Sequence, residues 1–543
     1  MTALVPVLPA VILLGGALIV LLPLPIPLRF RNWIPLLANA LAALALLQLA
    51  RTTTEPVTLF EPSDVLPALS ITLQWNGAAL LFGLFLLLVL TARLLIGIGE
   101  DAPSFLAGTL TVETGALLFL AADNWTTVAA AWLIVEFGLL LVPDDESQDR
   151  ERVGRALGWN LAAIVAWLAA GMIIFNEGSS LRLAEIAIQG TAALLVFLAI
   201  WIRSGLYPFH AATPTTVSTS PVRLGIPLLL AGYLMTRWLS ASHGAMSFQN
   251  DIEILVLLAV GISALLTIGQ PHGGDAFVWM LRAAAAPLLL LPFWVSVRAA
   301  PSIGVWLTLG ALAVCAMVSV AWLWRAQTPR VPFTLIVWIA ALVLTASLPL
   351  APGWWGRVGL LATVYGQGQI ALWLLLVAIM SLILIPIWRE IFAGRETAPK
   401  AITRTEIGAL VCLAIASAAV MFDPFAFVTP FGRSAQEGSN IALNALVRPA
   451  GFASFIFLIA GLGVPLLASF ELARRWDRRV NLIPLGVTNW LDLSRLARAL
   501  DGFYRFLRAL IVQTLVILEQ PPIAWLIFLA IWVAVWLRGL GNQ

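Results

Sequence analysis

Lysine is nearly missing from this chain: of 31 basic residues one, Lys400, is lysine and the others are arginine. A guanidinium keeps its charge where a buried ammonium can lose its own, so the interior cations read as fixed charges. Cysteine is as scarce, with Cys315 and Cys412 far apart in apolar surroundings. There is no CxxC and no paired-histidine spacing, which excludes an iron–sulfur cluster, a haem or a bound metal, and with them a redox centre in this chain. No cofactor is expected. Charged residues amount to 11%, too few to clothe a soluble domain with its own core. The first apolar run, Ala3 to Leu22, lacks the basic flank and small-residue cleavage site of a secretory signal, so it is expected to be the first span. The formal charge of +3 calls for no nucleic acid, because the arginines gather at the ends of apolar runs, where they fix membrane orientation.

What is there is hydrocarbon, at 61% of residues. That composition predicts an all-α, polytopic membrane protein. Runs able to cross ~30 Å of bilayer number about 16, centred near residues 13, 42, 86, 115, 133, 166, 199, 232, 261, 286, 313, 345, 378, 412, 461 and 530. The expected organisation is N-terminal helices over 1–105, a first repeat over 106–245, a second over 246–395 and C-terminal helices over 396–480. An amphipathic helix over 481–517 then precedes a final span over 518–543. Its leucines and phenylalanine recur as Leu493, Leu496, Leu500, Phe503, Leu507 and Leu510, with Arg495, Arg498, Arg505 and Arg508 between them. Such a helix either lies at the lipid interface or braces a neighbouring subunit. Arginines fall on alternate loops (Arg29 and Arg31; Arg150, Arg152 and Arg155; Arg325 and Arg330), which puts those loops in the cytoplasm and both termini outside. A bacterial plasma membrane is the expected location.

Charges inside the apolar runs mark candidate functional sites, because each is expensive there. Glu136 stands mid-helix and needs a cationic partner or a proton. Arg203, one helix hairpin downstream, is the nearest candidate; a purely structural buried pair is the alternative. After Arg203 the helix breaks at Gly205 and Pro208 and runs through His210 and Pro214. A second apolar helix breaks at Pro349, Pro352 and Gly353 just before Arg357. Broken helices at corresponding places in two halves point to repeats with a site at their interface. The freed backbone groups point to water-filled cavities nearby. Arg282 lies between the two arginines along the chain, and Glu113 and Arg237 either join the row or snorkel to an interface. Arginines bound to lipid headgroups near helix ends are the competing reading of such a row.

At these residues the sequence resembles the antiporter-like membrane subunits of respiratory complex I and of multi-subunit cation/proton antiporters. WLIVEFGLLLVP is similar to the family's glutamate motif and carries it onto Glu136. Arg203, Pro208, Phe209, His210, Pro214 and Pro221 keep the spacing of its lysine, Pro-aromatic-His and double-proline motif. LPLAPGWWGR resembles its third motif and carries it onto Arg357. The resemblance covers roughly residues 75 to 395 and implies two inverted five-helix repeats with broken helices. Where the family has lysines this chain has Arg203, Thr236 or Arg237, and Phe277, so a simple lysine relay cannot run here.

The resemblance implies a membrane subunit of a complex I-like NADH:quinone oxidoreductase or related assembly. It would carry no catalytic centre of its own and would move protons through a central row of buried charges. The partners implied are other membrane subunits, lipids and protons. In that expectation Glu136 with Arg203 forms the input pair, His210 sits at the first break, Arg282 links the halves, Arg237 belongs to the same row and Arg357 stands at the second break. A non-conducting structural subunit and a cation/proton antiporter subunit are the alternatives.

Overall fold

The computed structural model describes residues 2–22, 27–49, 56–60, 70–98, 101–142, 150–177, 181–183, 188–241, 250–269, 273–295, 300–327 and 352–383, with 404–405, 407–409 and 411–413. The chain divides into two units, 1–478 and 479–543, and every described residue belongs to the first. The amphipathic segment 481–517, the final span 518–543 and Pro349 therefore lie outside the described residues.

In hydrocarbon every backbone polar group must find its partner within the chain, and a helix does this locally. The apolar runs accordingly become helices: α1 (Leu8–Leu21), α2 (Ile34–Leu49), α3 (Gly77–Ile96), α4 (Pro103–Ala121), α5 (Trp125–Leu141), α6 (Arg150–Asn176), α7 (Gly190–Ser204) and α8 (Ile226–Ala241). They continue as α9 (Asn250–Gly269), α10 (Gly273–Ala285), α11 (Ala300–Gln327), α12 (Pro352–Gly366) and α13 (Ile370–Leu382). The expected centres from 13 to 313, and that at 378, each fall in one of these helices or in the 3-10 turn Ala286–Leu290 that prolongs α10. Among the described residues, four helical stretches are long and apolar enough to cross a bilayer: Gly77–Ile96, Pro103–Ala121, Val153–Asn176 and Asp275–Trp294.

The packing is that of a protein in lipid. On α6, Leu161, Val165, Leu168, Met172 and Phe175 recur every three or four residues and are all exposed, and Leu133, Phe137 and Leu140 form the same kind of stripe on α5. In water such stripes would drive aggregation; hydrocarbon solvates them. The chain is an integral membrane protein. Its charged residues Glu113, Glu136, Arg203, Arg282 and Arg357 are buried instead.

Two helices sit at the centre. α4 packs against α1, α2, α3, α5 and α8, while α11 packs against α3, α8, α10 and α12. The α4–α5 contact is close because glycine and valine alternate across it: Gly108 faces Val142, Gly138 faces Val112 and Gly115 faces Val135, each approach leaving no room for a Cβ. Small residues let backbones approach where no hydrophobic effect pulls helices together.

A two-stranded antiparallel ribbon, β1 (Val57–Phe60) and β2 (Ile71–Leu73), adds a small β element to the expected all-α fold. β2 bridges to Ala122, and Asn124 bridges to Arg182, so the α4–α5 turn is held between two extended pieces. Asn124 caps α5 by accepting the Thr127 N–H at 2.8 Å. Just inside that end Trp125 and Trp167 stack with ring centroids 3.6 Å apart. Each indole N–H donates to the other residue's backbone carbonyl, at 2.6 and 3.0 Å. Gly171 lies against the Trp125 indole with no space for a side chain. Gly171→Val is expected to destabilise the protein by about 3 kcal/mol, the upper range for overpacking. Thermal melts would read it, and an unchanged Tm would show that the clasp yields.

Candidate functional site

The site is built around the break that follows α7. Gly205 ends the helix in the left-handed region, φ 61°, with its N–H on the Ile202 carbonyl at 3.1 Å. A side chain there would also overlap Thr213, so both backbone and space demand glycine. The chain then passes through Pro208, a 3-10 turn at Phe209–Ala212 and a polar stretch holding Pro214. It re-enters regular structure through the π turn Pro221–Gly225 and α8.

A break of this length frees carbonyls that lipid cannot satisfy. Side chains from five directions satisfy them. Arg282 Nη2 of α10 donates to the carbonyls of Thr213, at 2.8 Å, and His210, at 3.2 Å. Asn160 Nδ2 of α6 donates to Ala212 O at 2.9 Å. Arg223 Nη1 reaches Pro214 O at 3.3 Å, and its Nη2 donates to Val142 O. Arg93 Nε of α3 and Ser319 Oγ of α11 both donate to Ser218 O, at 3.0 and 3.1 Å. The broken segment is pinned, not loose.

Beside it, Arg203 donates through Nη1 to Glu136 Oε1 as a buried salt bridge. The guanidinium also lies over the Trp132 ring, 5.1 Å from its centroid, a contact worth about 2 kcal/mol when desolvated. Glu136 is 5% exposed and lines a cavity of about 30 Å³. Asn160, Ala212, Thr213, Pro214 and Arg223 share the lining with apolar residues of α5 and α6. A water needs roughly 10–15 Å³ by this measure, so about two waters fit. Asn160 Oδ1 and Thr213 Oγ1, both buried and without a partner among the described residues, suit such waters. The cavity thus lies between Glu136 of the ion pair and residues 212–214 of the break.

The other residues singled out in the sequence divide into two groups. His210 stacks parallel to Tyr207 with centroids 6.1 Å apart and lies 5.0 Å from the Trp279 ring, which Arg282 also covers. Arg357 reaches the Ala284 carbonyl of α10 at 3.4 Å, two residues beyond Arg282 and next to the 3-10 turn that starts at Ala286. Glu136 and Arg203 thus form one pair, His210 and Arg282 meet through the His210 carbonyl, and Arg357 meets the backbone of α10 two residues beyond Arg282. Pro352 and Gly353 are the first two residues of α12.

Arg237 stands apart. It donates to Ala122 O at 2.6 Å and approaches Asp123 at 3.6 Å, and Asp123 is also bridged by Arg182 at 3.0 Å. Glu113 does not snorkel: it is fully buried within α4. Sequence reasoning missed Arg223, Asp123, Asn160 and the bidentate pair of Arg93 with Asp101 at 3.0 and 3.1 Å. Arg223 carried the same signal as Arg203, a charge in an apolar run. Asn160 carried none, since one neutral amide barely alters the apolar character of a span.

No protein-family model and no curated protein sequence matches the chain. By structure it is similar to a chain of the Mrp complex from Dietzia sp., with TM-score 0.71 and 15% identity, covering 99% of this chain and 62% of that one. It therefore spans about three-fifths of that chain's length. A chain of the membrane-bound sulfane sulfur reductase, an archaeal respiratory membrane complex, matches with TM-score 0.70 and 15% identity over 98% of this chain and 99% of that one. A chain of respiratory complex I from Thermus thermophilus matches with TM-score 0.66 and 15% identity over 80% and 99%. The resemblance carried by the motifs holds at the level of the fold.

Proposed function

We propose that this chain is a proton-conducting membrane subunit of a multi-subunit complex of the complex I or Mrp kind. The observation that carries this reading is the small cavity, mostly apolar in its lining, that Glu136 of the Glu136–Arg203 pair shares with the broken segment. A carboxylate that faces water on one side and a fixed cation on the other can take a proton from that water while the cation stays charged. Arginine need not titrate for this to work. Beyond the cavity the Thr216 hydroxyl stands 3.0 Å from those of both Ser218 and Thr219, and the Thr215 hydroxyl is 3.3 Å from that of Thr219. Hydroxyls with water can relay a proton along the break, with Arg282 and Arg357 biasing its passage towards the second half.

The finer parts of the reading rest on the sequence. They are two inverted five-helix repeats over 106–245 and 246–395, both termini outside, a bacterial plasma membrane, and a redox partner elsewhere in an NADH:quinone oxidoreductase-type complex. Neighbouring membrane subunits would cover part of the apolar stripes and lipid the rest. The likeness to an Mrp chain supports the cation/proton antiporter variant of the same role.

A second reading, a non-conducting brace, is favoured by Arg282 and Arg357, each of which gives its Nη2 to backbone carbonyls. Proton uptake by the assembled complex in proteoliposomes separates the two. With conduction, Glu136→Gln and Asn160→Leu each lower uptake by roughly tenfold or more while the complex still assembles. With bracing, uptake is untouched and assembly suffers.

A further inference from the structure

Glu113 takes no part in the site above, yet it is the one carboxyl side chain of α1 to α4 and is fully buried. It sits midway along α4 and is 0% exposed, and Asn39 of α2, opposite it, is 1% exposed. Asn39 Nδ2 donates to Glu113 Oε1 at 3.3 Å and to Thr91 Oγ1 at 3.4 Å, while the Thr91 hydroxyl donates back to Leu87 O. Two buried atoms are left over, Glu113 Oε2 and Asn39 Oδ1, neither with a partner.

No counter-charge serves Glu113 from the helices packed on α4. α1 and α2 contain no titratable residue. The one titratable side chain of α3, Arg93, is engaged by Asp101 and Ser218 O, and that of α5, Glu136, is held by Arg203. On α8, Tyr233 donates to Leu120 O, and Arg237 serves Ala122 O and Asp123. An ionised carboxylate with one long amide contact would be strongly unfavourable there. The two leftover atoms are both acceptors while Glu113 is ionised. They become complementary once Oε2 carries a hydrogen, because the acid then donates O–H to the amide oxygen and accepts N–H from the amide nitrogen. That closes the ring that carboxylic acids and carboxamides form with one another, and no buried polar atom of the pair stays unmatched.

We propose that Glu113 and Asn39 form a proton-binding site, a neutral carboxylic acid–carboxamide pair with the proton on Oε2 shared with Asn39 Oδ1, separate from the Glu136–Arg203 pair. The ligand is a proton and not a metal cation, since the pair with Thr91 offers four oxygens, where calcium, an ion of about sodium's size, takes roughly six to eight.

Infrared difference spectroscopy of the full-length protein in its complex tests this without measuring transport, so the outcome is independent of the conduction reading. At neutral pH, Glu113→Gln is expected to remove one carbonyl band of a protonated carboxylic acid, with no dependence on sodium. Asn39→Leu, which keeps Glu113 but deletes the acceptor, is expected to move that band to higher wavenumber, and it serves if Glu113→Gln does not fold. Glu113→Gln should also keep the wild-type Tm, because a second amide closes the same ring, whereas Asn39→Leu lowers it. Loss of carboxylate bands in place of the acid band, an acid band that Asn39→Leu leaves unmoved, or a band that vanishes when sodium is added would each overturn the proposal.

Discussion

Arg203→Leu is expected to destabilise the protein by about 3–5 kcal/mol, the range for removing one partner of a buried ion pair. The damage comes less from the lost attraction than from the charge left behind: Glu136 would keep a carboxylate in a low-dielectric interior with its guanidinium gone. The double variant Arg203→Leu/Glu136→Leu is therefore expected to recover most of the loss, because two apolar residues of similar reach leave nothing unpaired. Thermal melts of the two single variants and the double variant in the assembled complex measure the coupling. Proton uptake should return in none of them. A double variant as unstable as Arg203→Leu would mean that packing against Trp132, 5.1 Å from the guanidinium, outweighs the pair. Restored uptake in the double variant would remove Glu136 from the conduction path.

The second large effect is at Arg282. Arg282→Met leaves the carbonyls of Thr213 and His210 without their charged donor, at about 1.5–3 kcal/mol for each charge-assisted bond, or roughly 3–6 kcal/mol in all. Both bonds start from one nitrogen, Nη2. An ammonium with three donors can copy a single nitrogen, though it cannot copy a planar fork. Arg282→Lys is accordingly expected to regain much of the stability that Arg282→Met loses, and the comparison of the three melts checks it. If Arg282→Lys is as unstable as Arg282→Met, the cation–π contact with Trp279, 5.1 Å away, carries the position instead.

Much of this architecture is visible in the sequence for one physical reason. A span must be apolar along its whole length, so α1 to α11 announce themselves as runs, and a charge such as Arg203 or Arg282 inside a run is conspicuous. The pairing of Glu136 with Arg203 followed from the cost of leaving either alone. Partnerships that involve backbone carbonyls are a different matter. Nothing in the string of residues around Arg282 says that it will meet Thr213, 69 positions earlier, because the acceptor is a group that every residue has. The ribbon of β1 and β2 escaped notice because its strands are four and three residues long, too short to show an alternation. Asp123 was hidden by its place in a turn, where an acid excites no suspicion until Arg182 and Arg237 converge on it from distant parts of the chain.

The pinning of the broken segment also sets an order for making the protein. Its carbonyls at 210, 213 and 218 receive donors from Arg282 and Ser319, residues synthesised long after the break has left the ribosome. Until α10 and α11 arrive, those groups must be kept wet. A nascent chain halted before residue 273, where α10 starts, is expected to hold the 205–220 stretch at the water boundary, open to a protease. Release of a chain that includes α11 closes it. Biogenesis of this fold therefore has a late committed step, in which the second half completes the first.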